Sequence, residues 1–200
     1  MWDQRYSEPG FAYGTEPNEF LLASVSLLKP KATILCLGEG EGRNAVYLAS
    51  LGHPVTAVDA SSVGLAKAKK LADEYGVSIR MELADLGDYP IEPRSFDAII
   101  SIFCQLPPSI RINLYKGVSE GLSHGGLFIL EGYAKRQIEF DSGGPKSLEL
   151  LMELEDTKRE FQQLKLTHAI ELEREVHEGN YHNGTGVVIQ VIGVKDDQLN

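Results

Sequence analysis

The sequence predicts an α/β fold: a doubly wound, mostly parallel seven-stranded sheet that ends in a C-terminal antiparallel hairpin. Strand and helix patterns alternate along most of the chain, and several strand patterns are nearly continuous apolar runs, such as 96–103. Such runs are typical of parallel strands that helices cover on both faces. Near the end of the chain two strand patterns follow each other without a helix between them, and the dipeptide Asn183-Gly184 marks a turn. Strands joined in this way pair antiparallel.

Apolar residues at helical spacing, together with signals at the helix ends, predict five helices. Thr15 caps the first helix and Pro17 lies in its first turn, while Gly52 and Gly76 follow the ends of the second and third. The predicted helices cover 16–28, 43–51, the segment from Ser61 or Ser62 to Gly76, 108–122 and 147–163. The predicted strands cover 34–37, 55–58, 78–83, 96–103, 127–131, 164–176 and 187–194, and the glycine-rich segment 134–146 is a loop.

Length and composition indicate a small globular protein. The 200 residues are expected to form one domain, 1–200, and to act as a monomer. A net charge of −10 disfavours nucleic-acid and anionic-membrane partners, and no apolar run approaches the roughly 18 residues of a membrane span. The first residues do not resemble a secretory signal. Cys36 and Cys104 lie in apolar strand patterns and are expected to be reduced core thiols of a cytoplasmic protein.

Three glycines at alternate positions follow the first predicted strand. Gly38, Gly40 and Gly42 allow a tight turn and let a ligand approach the backbone without a Cβ in the way. The next strand ends on Asp59, about twenty residues after the loop, where a carboxylate is placed to accept hydrogen bonds from ribose hydroxyls. Together these features predict a site for a nucleoside cofactor.

The spacing and charge of the glycine loop indicate which cofactor binds. The dinucleotide fingerprint G-x-G-x-x-G places its third glycine where this chain has Arg43. Glu39 and Glu41 would repel the pyrophosphate that a helix N-terminus otherwise holds, but they would suit an amino group or a sulfonium. S-adenosylmethionine carries both cations and a ribose. It is therefore the predicted cofactor; a nicotinamide-dependent oxidoreductase and a non-catalytic S-adenosylmethionine-binding module are the alternatives.

With these motifs the chain resembles the class I S-adenosylmethionine-dependent methyltransferases, which have a Rossmann-like fold, and within them the small tellurite-resistance (TehB-like) subgroup. The likeness covers nearly the whole chain. The segments that carry it are Met1-Trp-Asp-Gln-Arg-Tyr6, Tyr13-Gly-Thr-Glu-Pro17, Gly38-Glu-Gly-Glu-Gly-Arg-Asn44, Gly143-Gly-Pro145 and Glu175-Val-His-Glu-Gly179.

The resemblance implies a role for particular residues. The three loop glycines would line the methionine moiety, Asp59 would hold the ribose, Ala60 would border the adenine, and Asp85 would accept from its exocyclic amine. Phe103 and Cys104 would lie beside the reacting methyl group. The chain departs from the usual pattern at Cys36, where the class has an acidic residue, so Glu39 would take over the contact to the amino group. The candidate cofactor-binding residues are Tyr13, Gly38, Glu39, Gly40, Gly42, Asp59, Ala60, Asp85, Leu86 and Phe103.

A general base is harder to identify. Related sequences often have a histidine where this chain has Gln105. His177 and His182 lack a third ligand at a suitable spacing, so they predict no metal site. His177 is the candidate catalytic residue, as a polar group that faces the substrate. Tellurite-type relatives have a histidine-arginine pair here, whereas this chain has His177-Glu178, which weakens the case for an oxyanion substrate.

The predicted function is S-adenosylmethionine-dependent methyl transfer to a small-molecule acceptor. Transfer to a soft nucleophile such as a thiol or chalcogen species needs little acid–base help, so that class of acceptor is one option. The predicted layout has an N-terminal cover and helix over 1–30, a cofactor-binding core over 31–131, and a substrate-side loop, helix and hairpin over 132–200. Residues 1–15 and 134–146 are the expected covers of the site.

Overall fold

The computed structural model describes residues 2–196. Met1, in the opening motif, and residues 197–200, at the end of the predicted domain, lie outside the described residues. The strands form one seven-stranded sheet in the order β3-β2-β1-β4-β5-β7-β6. They are β1 Ile34–Leu37, β2 Val55–Asp59, β3 Arg80–Leu83, β4 Phe96–Ile102, β5 Leu122–Tyr133, β6 Lys165–Glu178 and β7 His182–Val194.

The strand directions confirm the predicted fold class. β1 pairs parallel with β2 and β4, β3 extends the sheet beyond β2, and β5 pairs parallel with β4. β7 pairs antiparallel with both β5 and β6, so it alone runs opposite to the other six strands. The chain moves outward from β1 to β3 and then returns to β4 on the other side of β1. This reversal creates a crevice at the carboxyl ends of β1 and β4, where ligands bind in open α/β sheets.

Helices cover the sheet on both sides. Alternate residues of β1 show the two faces, since Ile34 and Cys36 belong to one buried cluster and Leu35 and Leu37 to the other. The helices are α1 Trp2–Tyr6, α2 Glu19–Ser24, α3 Arg43–Ser50, α4 Ser62–Glu74, α5 Pro108–Gly121 and α6 Leu154–Glu160, with 3₁₀ turns at Val25–Leu27, Lys135–Glu139 and Leu148–Leu150. Within residues 2–196, no helix has the length and apolar character needed to cross a membrane.

Two helix predictions were wrong in their bounds. The first helix begins at Glu19, and its N-cap is Asn18, whose Oδ1 accepts from the Leu21 amide at 3.0 Å, so Thr15 does not cap it. The segment 147–163 is not one helix. Its middle is extended because Met152 donates to the Tyr133 carbonyl at 2.9 Å and accepts from the Lys135 amide at 2.8 Å.

The hairpin turn also differs from the prediction. The connection between β6 and β7 lies at 179–181, and Asn183-Gly184 is inside β7. Gly179 has a φ of +65°, and a Cβ there would collide with the backbone of Gly14 and Ala12. The turn is therefore set by packing against the N-terminal segment. As a result Glu178 and His182 face each other across the hairpin.

Candidate active site

A cavity of about 340 Å³ lies at the carboxyl ends of β1, β2 and β4, beside the crevice that the strand order creates. This volume falls within the range of sites for small ligands. Eight of the ten predicted cofactor-binding residues line it, and Gly40 and Gly42 do not. Residues from the N-terminal segment, the glycine loop, the strand ends and the hairpin line the cavity: Trp2, Tyr6, Tyr13, Gly14, Gly38, Glu39, Glu41, Arg43, Asn44, Asp59, Ala60, Asp85, Leu86, Ile102, Phe103, Cys104, Gln105, Leu106, Pro107, Ile110 and His182.

The three glycines of the loop are required by conformation and by close packing. Their φ angles are +62°, +61° and +90°, which side chains rarely adopt. A Cβ on Gly38 would lie 2.5 Å from the Cys104 Sγ, and one on Gly40 would lie 2.5 Å from the Tyr6 hydroxyl. Gly42 packs against α4. Gly40 and Gly42 thus shape the loop, while Gly38 also borders the cavity.

Asp59 ends β2 with its carboxylate held in a defined orientation. One oxygen accepts from the Gly40 amide at 2.8 Å and the other from the Ser61 amide at 2.8 Å. Burial raises the pKa of Asp59 above its usual value, although these two N–H groups act in the opposite direction. Each oxygen retains a lone pair that a hydroxyl group in the cavity can use.

The two loop glutamates have different environments. Glu39 accepts from the backbone amides of Asn44 and Ala45 at 2.9 and 2.8 Å, and burial raises its pKa to about 7. Glu41 forms an ion pair with Lys67 at 2.8 Å and accepts from the Ala12 amide at 2.7 Å. Lys67 therefore compensates the charge of Glu41. The hydrogen bond from the Ala12 amide to Glu41 ties the N-terminal segment to the loop. Glu39 is the loop carboxylate placed to meet a cationic ligand.

The residues predicted to border the adenine also line the cavity. Ala60, Asp85 and Leu86 line it together with Ile110 of α5. Asp85 is exposed, and its Oδ1 accepts from the Gly87 amide at 2.8 Å, which orients the carboxylate after β3. These residues provide an apolar wall with an acidic group at its edge.

Aromatic rings form the wall on the hairpin side. The ring centroids of Tyr13 and Phe103 each lie 4.6 Å from that of His182. Phe103 has a φ of +50°, a strained conformation held in part by its amide, which donates to the Glu131 carbonyl at 2.7 Å. This strain turns the chain at the end of β4 toward the cavity.

The N-terminal segment covers the loop. The Tyr6 ring packs against Gly40 and Gly64, and Trp2 stacks on Tyr6 with centroids 5.7 Å apart. Arg5 donates to the Tyr13 hydroxyl at 2.7 Å, which connects α1 to the aromatic wall. Tyr6 and Tyr13 are therefore walls of the cavity.

The structure places the two hairpin histidines differently. His177 is exposed, its Nδ1 lies 2.9 Å from the Asn183 Oδ1, and it does not line the cavity. His182 is buried, lines the cavity, and has its Nδ1 3.1 Å from the Glu178 Oε2. The predicted turn at Asn183-Gly184 did not bring these two residues together, so the pair was missed. A turn placed at 179–181 would have predicted the pair, because it sets position 178 opposite position 182 in the hairpin.

Glu178 also belongs to a buried charge network that sequence reasoning missed. Its carboxylate accepts from Arg43 at 2.7 Å and from the Asn18 side chain at 2.8 Å. Burial alone would raise the pKa of Glu178, but the hydrogen bond with His182 and the charge of Arg43 lower it to about 2. Burial lowers the pKa of His182, and Glu178 partly offsets this. The result is an ionised carboxylate beside a neutral imidazole at neutral pH.

Comparison with known proteins agrees with this geometry. Residues 34–126 match the family model of a methyltransferase domain. The chain is 25% identical over 146 residues to 2-heptyl-1-hydroxyquinolin-4(1H)-one methyltransferase of Mycobacteroides abscessus, which covers 72% of this chain and 64% of that protein. It is 35% identical over 92 residues to the uncharacterized methyltransferase YodH of Bacillus subtilis, with coverage of 44% and 40%. The chain thus spans less than two thirds of the length of either relative.

Solved structures show the same fold. TehB of Haemophilus influenzae matches with a TM-score of 0.73 at 20% sequence identity, and the alignment covers 88% of this chain and 61% of that chain. At this identity the similarity concerns the arrangement of strands and helices.

Proposed function

We propose that this chain, which carries a class I S-adenosylmethionine-dependent methyltransferase domain resembling TehB-like proteins, transfers a methyl group from S-adenosylmethionine to a small-molecule acceptor. The match over residues 34–126, the relatives and the sheet order confirm the family, the fold class and the cofactor predicted from the sequence. What we propose beyond these points is the activity of the whole protein and the class of its acceptor. The observation that carries it is the cavity at the carboxyl ends of β1, β2 and β4, where the glycine loop meets Asp59.

The residues around the cavity fit a nucleoside that bears a cation. Asp59 is held by two backbone amides and retains acceptor capacity for ribose hydroxyls. Glu39, with a pKa of about 7, can ionise beside an ammonium or sulfonium group. The Nε2 of Gln105 is buried and has no hydrogen-bond partner among the described residues, which is consistent with a polar ligand atom nearby. The proposed cofactor residues that line the cavity are Tyr13, Gly38, Glu39, Asp59, Ala60, Asp85, Leu86 and Phe103, and Gly40 and Gly42 contribute by shaping the loop.

The protein's contribution to methyl transfer is orientation and the exclusion of water. S-adenosylmethionine supplies an electrophilic methyl group on a sulfonium when it is bound. The aromatic faces of Tyr13 and Phe103 attract a cation and fix its position. Tyr6 and Trp2 cover the glycine loop and limit access of water. Holding both reactants in line accounts for most of the barrier reduction that a transfer of this kind needs.

Cavity size and the relatives support a small acceptor. A cavity of about 340 Å³ leaves little room for a macromolecular substrate beside a nucleoside. The relative named for 2-heptyl-1-hydroxyquinolin-4(1H)-one makes a hydroxylated heteroaromatic ring the first acceptor to test. A thiol or chalcogen species is the second acceptor to test.

We also propose that the protein is a cytoplasmic monomer with no nucleic-acid or membrane partner. Its free cysteines and its net charge of −10 support this proposal.

Calorimetry tests the choice of cofactor. We expect S-adenosylmethionine to bind with roughly micromolar affinity and NAD to give no appreciable heat. Heat from NAD with none from S-adenosylmethionine would reverse the assignment and favour an oxidoreductase.

Formation of S-adenosylhomocysteine tests turnover. The acceptors are 2-heptyl-1-hydroxyquinolin-4(1H)-one and a simple thiol, with the protein omitted as the control. Product from either acceptor supports a methyltransferase and indicates the acceptor class. Tight binding of S-adenosylmethionine with no product from either acceptor favours the alternative, a non-catalytic binding module.

A further inference from the structure

His182 lines the cavity from the hairpin side. It begins β7, directly opposite Glu178 at the end of β6, because the hairpin turn occupies 179–181. Its buried ring lines the cavity between Tyr13 and Phe103, with both ring centroids 4.6 Å away. Flat aromatic walls of this kind favour a planar acceptor.

The hydrogen bond to Glu178 determines the tautomer of His182. Glu178 is ionised at neutral pH, since its pKa is about 2, so its oxygens can only accept. The Nδ1 of His182, 3.1 Å from the Glu178 Oε2, must therefore carry the hydrogen. In a neutral imidazole the other nitrogen, Nε2, is then without a proton and can accept one.

The charges around the ring keep it neutral at rest and allow it to become charged. Burial lowers the pKa of His182, and the nearby guanidinium groups lower it further. Glu178 acts in the opposite direction and would stabilise an imidazolium once a proton arrives. The titratable and charged groups that face the ring are Glu178 from β6, Arg43 from α3, Arg5 from α1, Tyr13 from the segment before α2, and Tyr133 from β5.

We propose that His182 is the general base of the reaction, that Glu178 is the residue that positions it, and that the acceptor is a neutral molecule with a weakly acidic hydroxyl on a planar ring. This inference rests on the proposed function. It identifies an acid–base group that the sequence did not reveal, and it favours a hydroxyl acceptor over a soft anion that needs no base.

The step balances in atoms and electrons. The Nε2 of His182 takes the hydroxyl proton, and a lone pair of the acceptor oxygen forms the new bond to the methyl carbon. The bond between that carbon and sulfur breaks, and its electron pair stays on sulfur. The products are a methyl ether, S-adenosylhomocysteine and an imidazolium that releases its proton to solvent.

The tautomer can be measured without turnover. Nitrogen-15 NMR of the ligand-free protein, with His182→Asn used to assign the signal, should show a neutral ring protonated at Nδ1. A ring protonated at Nε2, or charged at neutral pH, would overturn the proposal. Asparagine is the chosen replacement because its amide can still donate to Glu178.

Acceptor acidity provides a kinetic test. Phenol, whose pKa of about 10 matches a tyrosine side chain, needs a base at neutral pH, whereas 4-nitrophenol is far more acidic and is largely ionised slightly above neutrality. We expect His182→Asn to slow methylation of phenol roughly 10²- to 10⁴-fold and to affect 4-nitrophenol much less. Equal losses for both acceptors would mean that His182 has a structural role. His124→Asn, at the exposed amino end of β5, is the matched control, with turnover of both acceptors expected to stay near wild type.

Failure of this inference can be told apart from failure of the proposed function. Calorimetry with S-adenosylmethionine is repeated on His182→Asn, and its affinity should match that of the wild-type protein. If the wild-type protein binds S-adenosylmethionine but methylates neither phenol nor 4-nitrophenol, the acceptor class proposed here is refuted. A wild-type protein that does not bind S-adenosylmethionine refutes the function itself.

Discussion

At the scale of single residues, we propose that cofactor binding depends most directly on Asp59. We expect Asp59→Ala to weaken S-adenosylmethionine binding by ~2–4 kcal/mol, because the substitution removes charge-assisted hydrogen bonds to the ribose. It also frees the Gly40 and Ser61 amides that the carboxylate now accepts from. Isothermal titration gives the difference. Asp73→Ala, at an exposed site on α4 away from the cavity, should bind like wild type, and equal affinity of both variants would show that Asp59 has another role.

Glu39 should make cofactor binding depend on pH. Its pKa in the folded protein, about 7, lies above the ordinary glutamate value because the side chain is buried. A bound cation favours the ionised form, so binding releases a proton wherever the free protein still holds one. Affinity should therefore be greatest above pH 7 and should fall as the pH decreases through that value.

Calorimetry across a pH unit on either side of 7 measures this dependence. Glu39→Gln cannot titrate and should bind with lower affinity and little change with pH. If the wild-type profile is as flat as that of the variant, then Glu39 does not face the cation.

At the scale of elements, one lysine helps to hold the N-terminal segment over the glycine loop. Lys67 of α4 donates to the carbonyls of Glu8 and Gly10 at 2.8 and 2.6 Å and pairs with Glu41. We expect Lys67→Met to destabilise the closed segment by ~1–3 kcal/mol, because hydrogen bonds to charged groups are lost and Glu41 stays buried without its partner. Hydrogen exchange of residues 2–14 should accelerate, and S-adenosylmethionine should dissociate faster.

The same helix offers a control for this prediction. Lys69→Met removes an exposed ion pair with Asp73 and should leave exchange in residues 2–14 unchanged, since surface pairs contribute little. Exchange that accelerates equally in both variants would indicate general loosening of α4. Residues 2–14 would then not act as a cover that Lys67 holds in place.

At the scale of the whole molecule, the site belongs to the sheet, so ligand binding should stabilise the entire fold. A ligand present at about a hundred times its dissociation constant adds ~2.7 kcal/mol to the free energy of unfolding. For a chain of this length that corresponds to a rise in Tm of roughly 5–10 °C. Differential scanning fluorimetry with S-adenosylhomocysteine measures the shift, and NAD at the same concentration should produce none. A comparable shift with NAD would contradict the assignment of the cavity.

Local chemistry accounts for the parts of the fold that the sequence predicted correctly. Glycine can adopt a positive φ without the steric cost that a side chain imposes, and Gly38, Gly40 and Gly42 all do so. Apolar runs such as 96–103 are typical of strands that helices cover on both faces, which favours a parallel sheet. The position of Asp59 beside the loop could be predicted because the strand after such a loop ends at the same edge of the sheet. The sequence by itself thus determined the sheet and one side of the cavity.

Long-range packing decided the rest. The hairpin turn lies at 179–181, and not at Asn183-Gly184, because Gly179 meets Gly14 from the other end of the chain. That shift sets His182 against Glu178, and Arg43 reaches the same carboxylate from 135 residues away. Turn propensity and periodicity act over a few residues and contain no information on such contacts. Only the tertiary structure could therefore place an ionised glutamate behind a cavity histidine, because burial and distant charges set their protonation states.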